Sequence, residues 1–202
     1  MSMFKNFILF ILFFLVINID AQQTNIKNIS VDNGLPSNVI YDIGQDEIGY
    51  LWLATEKGLV KYDGDNFTSI NKLKTTNLLI EENIIYTGLE NGLFIKNKSK
   101  ELFILSKRVI KIFSHKKNIF IGTLEGVYLL KEKELIPIKI NSTLDFSIIY
   151  DIIYCKDSFY IASNNGLWQL NNIQNAESLH KITEDHHRPL IIHLSHQCFL
   201  RV

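Results

Sequence analysis

Arginine is nearly missing from this chain: Arg108, Arg188 and Arg201 are all it has. Lysine and arginine together number 21, matched by 21 aspartates and glutamates, so the formal net charge is zero. With no basic field to collect phosphates, a nucleic-acid partner is not expected. Cysteine is as scarce. Cys155 and Cys198 cannot build the multi-bridge framework on which small secreted domains depend. Cys155 lies in the apolar run IIYDIIYC and is expected to be a packed thiol rather than half of a bridge. Only one apolar run is long, Phe7 to Ile17, and no later one approaches the roughly 20 residues that a membrane-spanning helix needs. The Gly-x-Ser-x-Gly elbow and the His-Glu-x-x-His zinc motif are both absent. Carboxylate pairs such as Asp46-Glu47 and Glu81-Glu82 sit in or beside turns, where solvated surface explains them better than acid–base catalysis. No catalytic residue, metal site or cofactor is expected.

What is present begins with export. Lys5 precedes the apolar run FILFILFFLVI, and Ala21 offers a small residue for cleavage before the polar Gln22-Gln23. A charged start, an apolar stretch of roughly 7–15 residues and a small exit residue describe a secretory signal peptide, read as a helix over residues 1–21. No cysteine follows it to carry a lipid. The mature chain is therefore expected to be periplasmic or secreted, without a membrane span. Asn-x-Ser/Thr triplets at Asn28, Asn66, Asn97 and Asn141 are unsurprising in a chain this rich in asparagine and carry no weight.

A repeat dominates the remainder. YLWLATEKGLVKYD, NIIYTGLENGLFIK, NIFIGTLEGVYLLK and SFYIASNNGLWQLN each hold an apolar run, a small residue, three residues, a glycine and a second apolar run. The small residues are Ala54, Gly88, Gly122 and Ala162; the glycines are Gly58, Gly92, Gly126 and Gly166, spaced 34, 34 and 40 residues apart. In the first unit Val39–Gln45, Tyr50–Thr55, Leu59–Tyr62 and Phe67–Ile70 read as four strands. Gly58 supplies a hairpin bend, and Asp63-Gly64-Asp65-Asn66 makes the next turn. Four short strands in a unit of about 40 residues describe a propeller blade. A sandwich or barrel would not keep the small-x3-Gly register, and a parallel solenoid has a shorter coil. The expected fold is all-β, a β-propeller of about four four-stranded blades in an incomplete or truncated ring. A lead-in spans 22–37, the blades cover 38–71, 77–106, 108–141 and 147–182, and an off-pattern tail covers 183–202. The small residues are expected to relieve crowding near the channel.

Gly34-Leu35-Pro36-Ser37-Asn38, Gln45-Asp46, Gly49-Tyr50-Leu51-Trp52, Ala54-Thr55, Gly58-Leu59 and Tyr62-Asp63-Gly64 closely resemble the two-component regulator propeller repeat. The later units keep only the small-x3-Gly core, so the resemblance runs from Gly34 to about Asn171. It implies a sensor region outside the cytoplasm, as in hybrid two-component histidine kinases of Bacteroidota. In such proteins a polysaccharide fragment is often the cue, and a membrane helix and kinase core follow. No phospho-accepting kinase motif or nucleotide-binding glycine pattern occurs here, and four blades fall short of the arrays the resemblance implies. The chain is thus expected to be an amino-terminal fragment, with self-association through uncapped blades. The tail HHRPLIIHLSHQCFLRV holds four of the six histidines and two of the three arginines, as a shifted reading frame would.

Other features have plainer readings. His186, His187, His193, His196 and Cys198 follow no zinc-ligand spacing. Asp63-Gly64-Asp65-Asn66 lacks the remaining acids of a calcium loop. Trp52, between Leu51 and Leu53, reads as core, and Trp168 as core with a blade-edge contact as its rival. The expected function is non-catalytic recognition of an oligosaccharide or other periplasmic ligand within a two-component sensor, the ligand-binding residues being unassigned. The alternatives are a secreted structural or adhesive propeller and, further off, a polysaccharide-active propeller enzyme.

Overall fold

Aromatic and branched residues crowd the runs on both sides of each repeat glycine, and such residues fit a pleated, half-buried surface. The computed structural model describes residues 26–98, 100–139 and 147–170 and the strand at 179–181, and in it these runs form four antiparallel sheets. Blade 1 is β1 (Ile40–Gln45), β2 (Leu51–Thr55), β3 (Gly58–Tyr62) and β4 (Phe67–Ser69). Blade 2 is β5 (Thr75–Glu81), β6 (Ile84–Leu89), β7 (Gly92–Asn97) and β8 (Lys100–Leu105). Blade 3 is β9 (Val109–His115), β10 (Asn118–Thr123), β11 (Gly126–Lys131) and β12 (Glu134–Pro137). Blade 4 is β13 (Ile149–Cys155), β14 (Ser158–Ser163), β15 (Gly166–Leu170) and β16 (Leu179–Lys181). Within each sheet the strands lie in chain order, and the first strands of successive blades lie side by side. The fold is an all-β propeller; residues 1–21, expected to be a signal peptide, and the expected tail 183–202 lie outside the described residues.

Each middle hairpin depends on its glycine. Gly58 has φ +118°, and a Cβ there would fall 2.0 Å from the Asn71 carbonyl oxygen. At Gly92 the corresponding distance, to the Ile104 oxygen, is 2.1 Å. The end of the fourth strand in blade 2, and the backbone just past it in blade 1, fold against the turn and leave no room for a side chain. Three blades add a hydroxyl to the same bend. Thr55 Oγ1 donates to the Gly58 carbonyl at 2.7 Å and accepts from Lys57 N–H; Thr123 does the same with Gly126 and Glu125, and Ser163 with Gly166 and Asn165. Blade 2 has Leu89 at that position, buried against Trp52, Leu59, Ile85 and Phe94.

The cores lie between sheets. Trp52, Leu59, Ile85 and Phe94 join blades 1 and 2; Leu93, Val109, Ile112 and Ile121 join blades 2 and 3; Phe120, Ile152, Phe159 and Trp168 join blades 3 and 4. The small residues of the second strands in blades 2 and 3 serve this contact. A Cβ on Gly88 would lie 2.8 Å from Val109 Cγ1, and one on Gly122 would lie 2.8 Å from Ile149 Cγ2. What crowds these two positions is the innermost strand of the next blade, Val109 of β9 and Ile149 of β13. Cys155 is buried as expected, but it is disulfide-bonded rather than a packed free thiol.

Candidate functional site

The innermost strand of each blade is a sheet edge, so its alternate N–H groups have no ladder partner. Every one of them carries a bulge, at Tyr41, Thr76, Ile110 and Tyr150, just before the residue paired with the small position. Those next residues, Asp42, Asn77, Lys111 and Asp151, form a polar row that passes from blade to blade. Leu78 N–H donates to Asp42 Oδ2 at 2.9 Å, Ile112 N–H donates to Asn77 Oδ1 at 2.8 Å, and Lys111 Nζ lies 2.8 Å from Asp151 Oδ1. Asp42 and Asp151 also take the N–H of their own following residue, Ile43 at 2.8 Å and Ile152 at 2.9 Å. This row was missed in the sequence, although it stands eleven residues before the small residue in blades 2 to 4 and twelve in blade 1.

Contacts at the strand ends also join blades. Asn83 Nδ2 donates to Glu47 Oε2, and Lys117 pairs with Glu82 at 3.2 Å. His115 of blade 3 stacks on Tyr154 of blade 4, with ring centroids 3.8 Å apart, and meets Phe159 edge-on. Partial burial among these rings, helped by the Lys116 charge, holds the His115 imidazole below its ordinary pKa. At the opposite end Glu90 receives both Lys74 and Arg108, at 3.3 and 3.2 Å.

The turn between β1 and β2 explains much of the first repeat. Asp46 Oδ1 accepts from Ile48 and Tyr50 N–H, while its Oδ2 accepts from the Trp52 indole at 2.9 Å. One carboxylate therefore shapes the turn and anchors the tryptophan. In the other blades this bend shrinks to two residues of positive φ: Glu82-Asn83, Lys116-Lys117 and Lys156-Asp157.

The residues singled out from sequence scatter into structural places. Ala54, Gly88, Gly122 and Ala162 lie on second strands opposite the polar row, and Gly58, Gly92, Gly126 and Gly166 open third strands. Both Trp52 and Trp168 are buried, and the Trp168 indole donates to Ser163 Oγ. Asp63 Oδ1 accepts from Asn66 and Asp65 N–H, and these bonds, that from Asn66 foremost, pull its carboxyl below the ordinary range. That oxygen is thus engaged by its own turn, as in an ordinary Asx turn. Among the described residues no cluster of three His, Cys, Asp or Glu is placed to hold a metal, and no helix is long and apolar enough to cross a membrane. His186, His187, His193, His196 and Cys198 lie outside the described residues.

Comparison with known proteins agrees with this architecture. A family model described as the two component regulator propeller matches residues 34–57. Histidine kinase P4 of Formosa agariphila is 43% identical over 56 residues, which is 27% of this chain and 4% of that protein. The extracellular domain of the hybrid two component system BT3049 from B. thetaiotaomicron superposes with a TM-score of 0.61 at 23% identity, covering 76% of this chain and 23% of that one. PorZ, a surface component of the type-IX secretion system of Porphyromonas gingivalis, gives a TM-score of 0.54 at 16% identity over 67% of this chain and 26% of its own. The chain thus spans a small part of each, and the structural likenesses bear on fold.

Proposed function

Because residues 34–57 are a two component regulator propeller repeat, we propose that the chain is a recognition propeller of a two-component sensor, acting outside the cytoplasm and without catalysis. The observation that carries this reading is the repeat match together with the Asp46–Trp52 turn, which gives the matched residues a shared structural purpose. The cue we assign is a neutral oligosaccharide. In support, Tyr41 and Tyr150 stand exposed at the bulges of the first and last inner strands and offer aromatic faces of the kind that stack on sugar rings. A chain of zero net charge suits an uncharged ligand better than a polyanion.

Expression with the native leader, followed by fractionation, amino-terminal sequencing and titration calorimetry against an oligosaccharide panel, tests the reading. Export, a start at Gln22 and binding without release of new reducing ends are expected. Retention in the cytoplasm or cleavage of any polysaccharide would refute it.

A further inference from the structure

Blade 1 has a face that no other described blade covers, and its chemistry can be compared position by position with faces that are covered. Ile40 corresponds by pairing register to Thr75, Val109 and Ile149, and Ile43 to Leu78, Ile112 and Ile152. Thr75, Val109 and Ile149 are fully enclosed, whereas Ile40 is 43% exposed and Ile43 is 59% exposed. What encloses the other three is the preceding blade. Leu35 and Phe67 pack on part of the open face, over Leu53 and Val60, but leave Ile40 and Ile43 bare.

The polar row states what a neighbour on this face would have to offer. Where the preceding blade presents an acceptor, it takes the next inner strand's N–H itself: Asp42 takes that of Leu78 and Asn77 that of Ile112. Lys111 cannot accept, so blade 4 supplies its own Asp151, whose Oδ1 binds both Ile152 N–H and the Lys111 ammonium. Blade 1 has the arrangement of blade 4: Asp42 Oδ1 binds Ile43 N–H and has capacity for a further donor. The apolar positions agree, since Ile149 of blade 4 lies against Gly122 and Ile40 occupies the same register position in blade 1.

We propose that this face of blade 1 is a docking surface for a β-blade of one chemistry, carrying glycine at the small position of its second strand and a lysine or arginine opposite it on its first. Blade 3, with Lys111 paired to Gly122, is the pattern, but blade 4 already covers it. Blade 4 itself presents Asp151 paired to Ala162, an acid toward an acid and a methyl toward Ile40, so neither it nor a second copy of the chain is the occupant.

Extending the chain ahead of residue 26 with a second copy of residues 107–139 supplies such a blade. A companion carries Lys111→Asp and Gly122→Ala in the added copy alone. Amide hydrogen exchange over residues 40–45 should slow about tenfold or more with the native copy and change little with the companion. Equal protection by both copies, or none from a native copy whose own amides are protected, would overturn the proposal. So would concentration-dependent association of the unextended chain in sedimentation that Ile43→Arg abolishes.

Discussion

Val109 Cγ1 and a Cβ at position 88 cannot share the space now left by glycine. Gly88→Ala should lower unfolding free energy by about 1–3 kcal/mol, the usual cost of overpacking a close-packed site. Adding Val109→Ala should restore part of that loss, a non-additivity that denaturant melts of the single and double variants would detect. The sequence shows a small residue at each of four equivalent places, but which neighbour demands it belongs to the next blade and is invisible within one unit. His115 makes a pH prediction. Its folded pKa lies below the ordinary 6.5 because partial burial disfavours the charged ring. The unfolded chain therefore binds the proton first, and stability falls as pH drops through about 6.5 toward the folded value. His115→Phe keeps the stacking on Tyr154 and should flatten thermal midpoints measured between pH 7 and 5.

Turns are where the elements depart from one another. The middle hairpins were legible, because Gly58, Gly92, Gly126 and Gly166 mark a bend that needs φ > 0. The first hairpins of blades 2 to 4 were not, since Glu82-Asn83, Lys116-Lys117 and Lys156-Asp157 hold positive φ without any glycine. Lysine tolerates that region poorly, at roughly 1–2 kcal/mol per residue. Replacing Lys116-Lys117 by Asn-Gly should therefore raise stability by about 1 kcal/mol, less whatever the lost Lys117–Glu82 pair contributes; calorimetry in high salt, which screens that pair, separates the two. The hydroxyls of Thr55, Thr123 and Ser163 belong to the same lesson. They stand in plain view one residue after the small position, yet their use depends on a carbonyl that only the folded bend presents.

For the whole molecule, cohesion comes from the seams between sheets. Phe159 sits at the seam of blades 3 and 4, within 5.6 Å of the Phe120 ring centroid and 4.9 Å of that of Tyr154. Phe159→Ala should cost about 3–5 kcal/mol there. Hydrogen exchange should then show blade 4 opening while β2 and β6 stay protected, because units in a linear array couple to neighbours alone. Loss of protection throughout would mean that the blades unfold as one body. Blade number and strand order could be read from the recurring register, and the candidate site could not. Tyr41, Asp42, Tyr150 and Asp151 look like ordinary strand residues until the bulges set their direction.

The polar row also bears on how such a gene can change. Exchanging the segments for blades 2 and 3 by recombination would leave every sheet, hairpin and small residue intact. Lys111 would then precede Leu78, whose N–H would exchange the Asp42 carboxylate for the weaker Asn77 amide oxygen of its own strand, since an ammonium group only donates. Units that look interchangeable along the sequence are thus words with a fixed order, and inheritance has to preserve their syntax as well as their number.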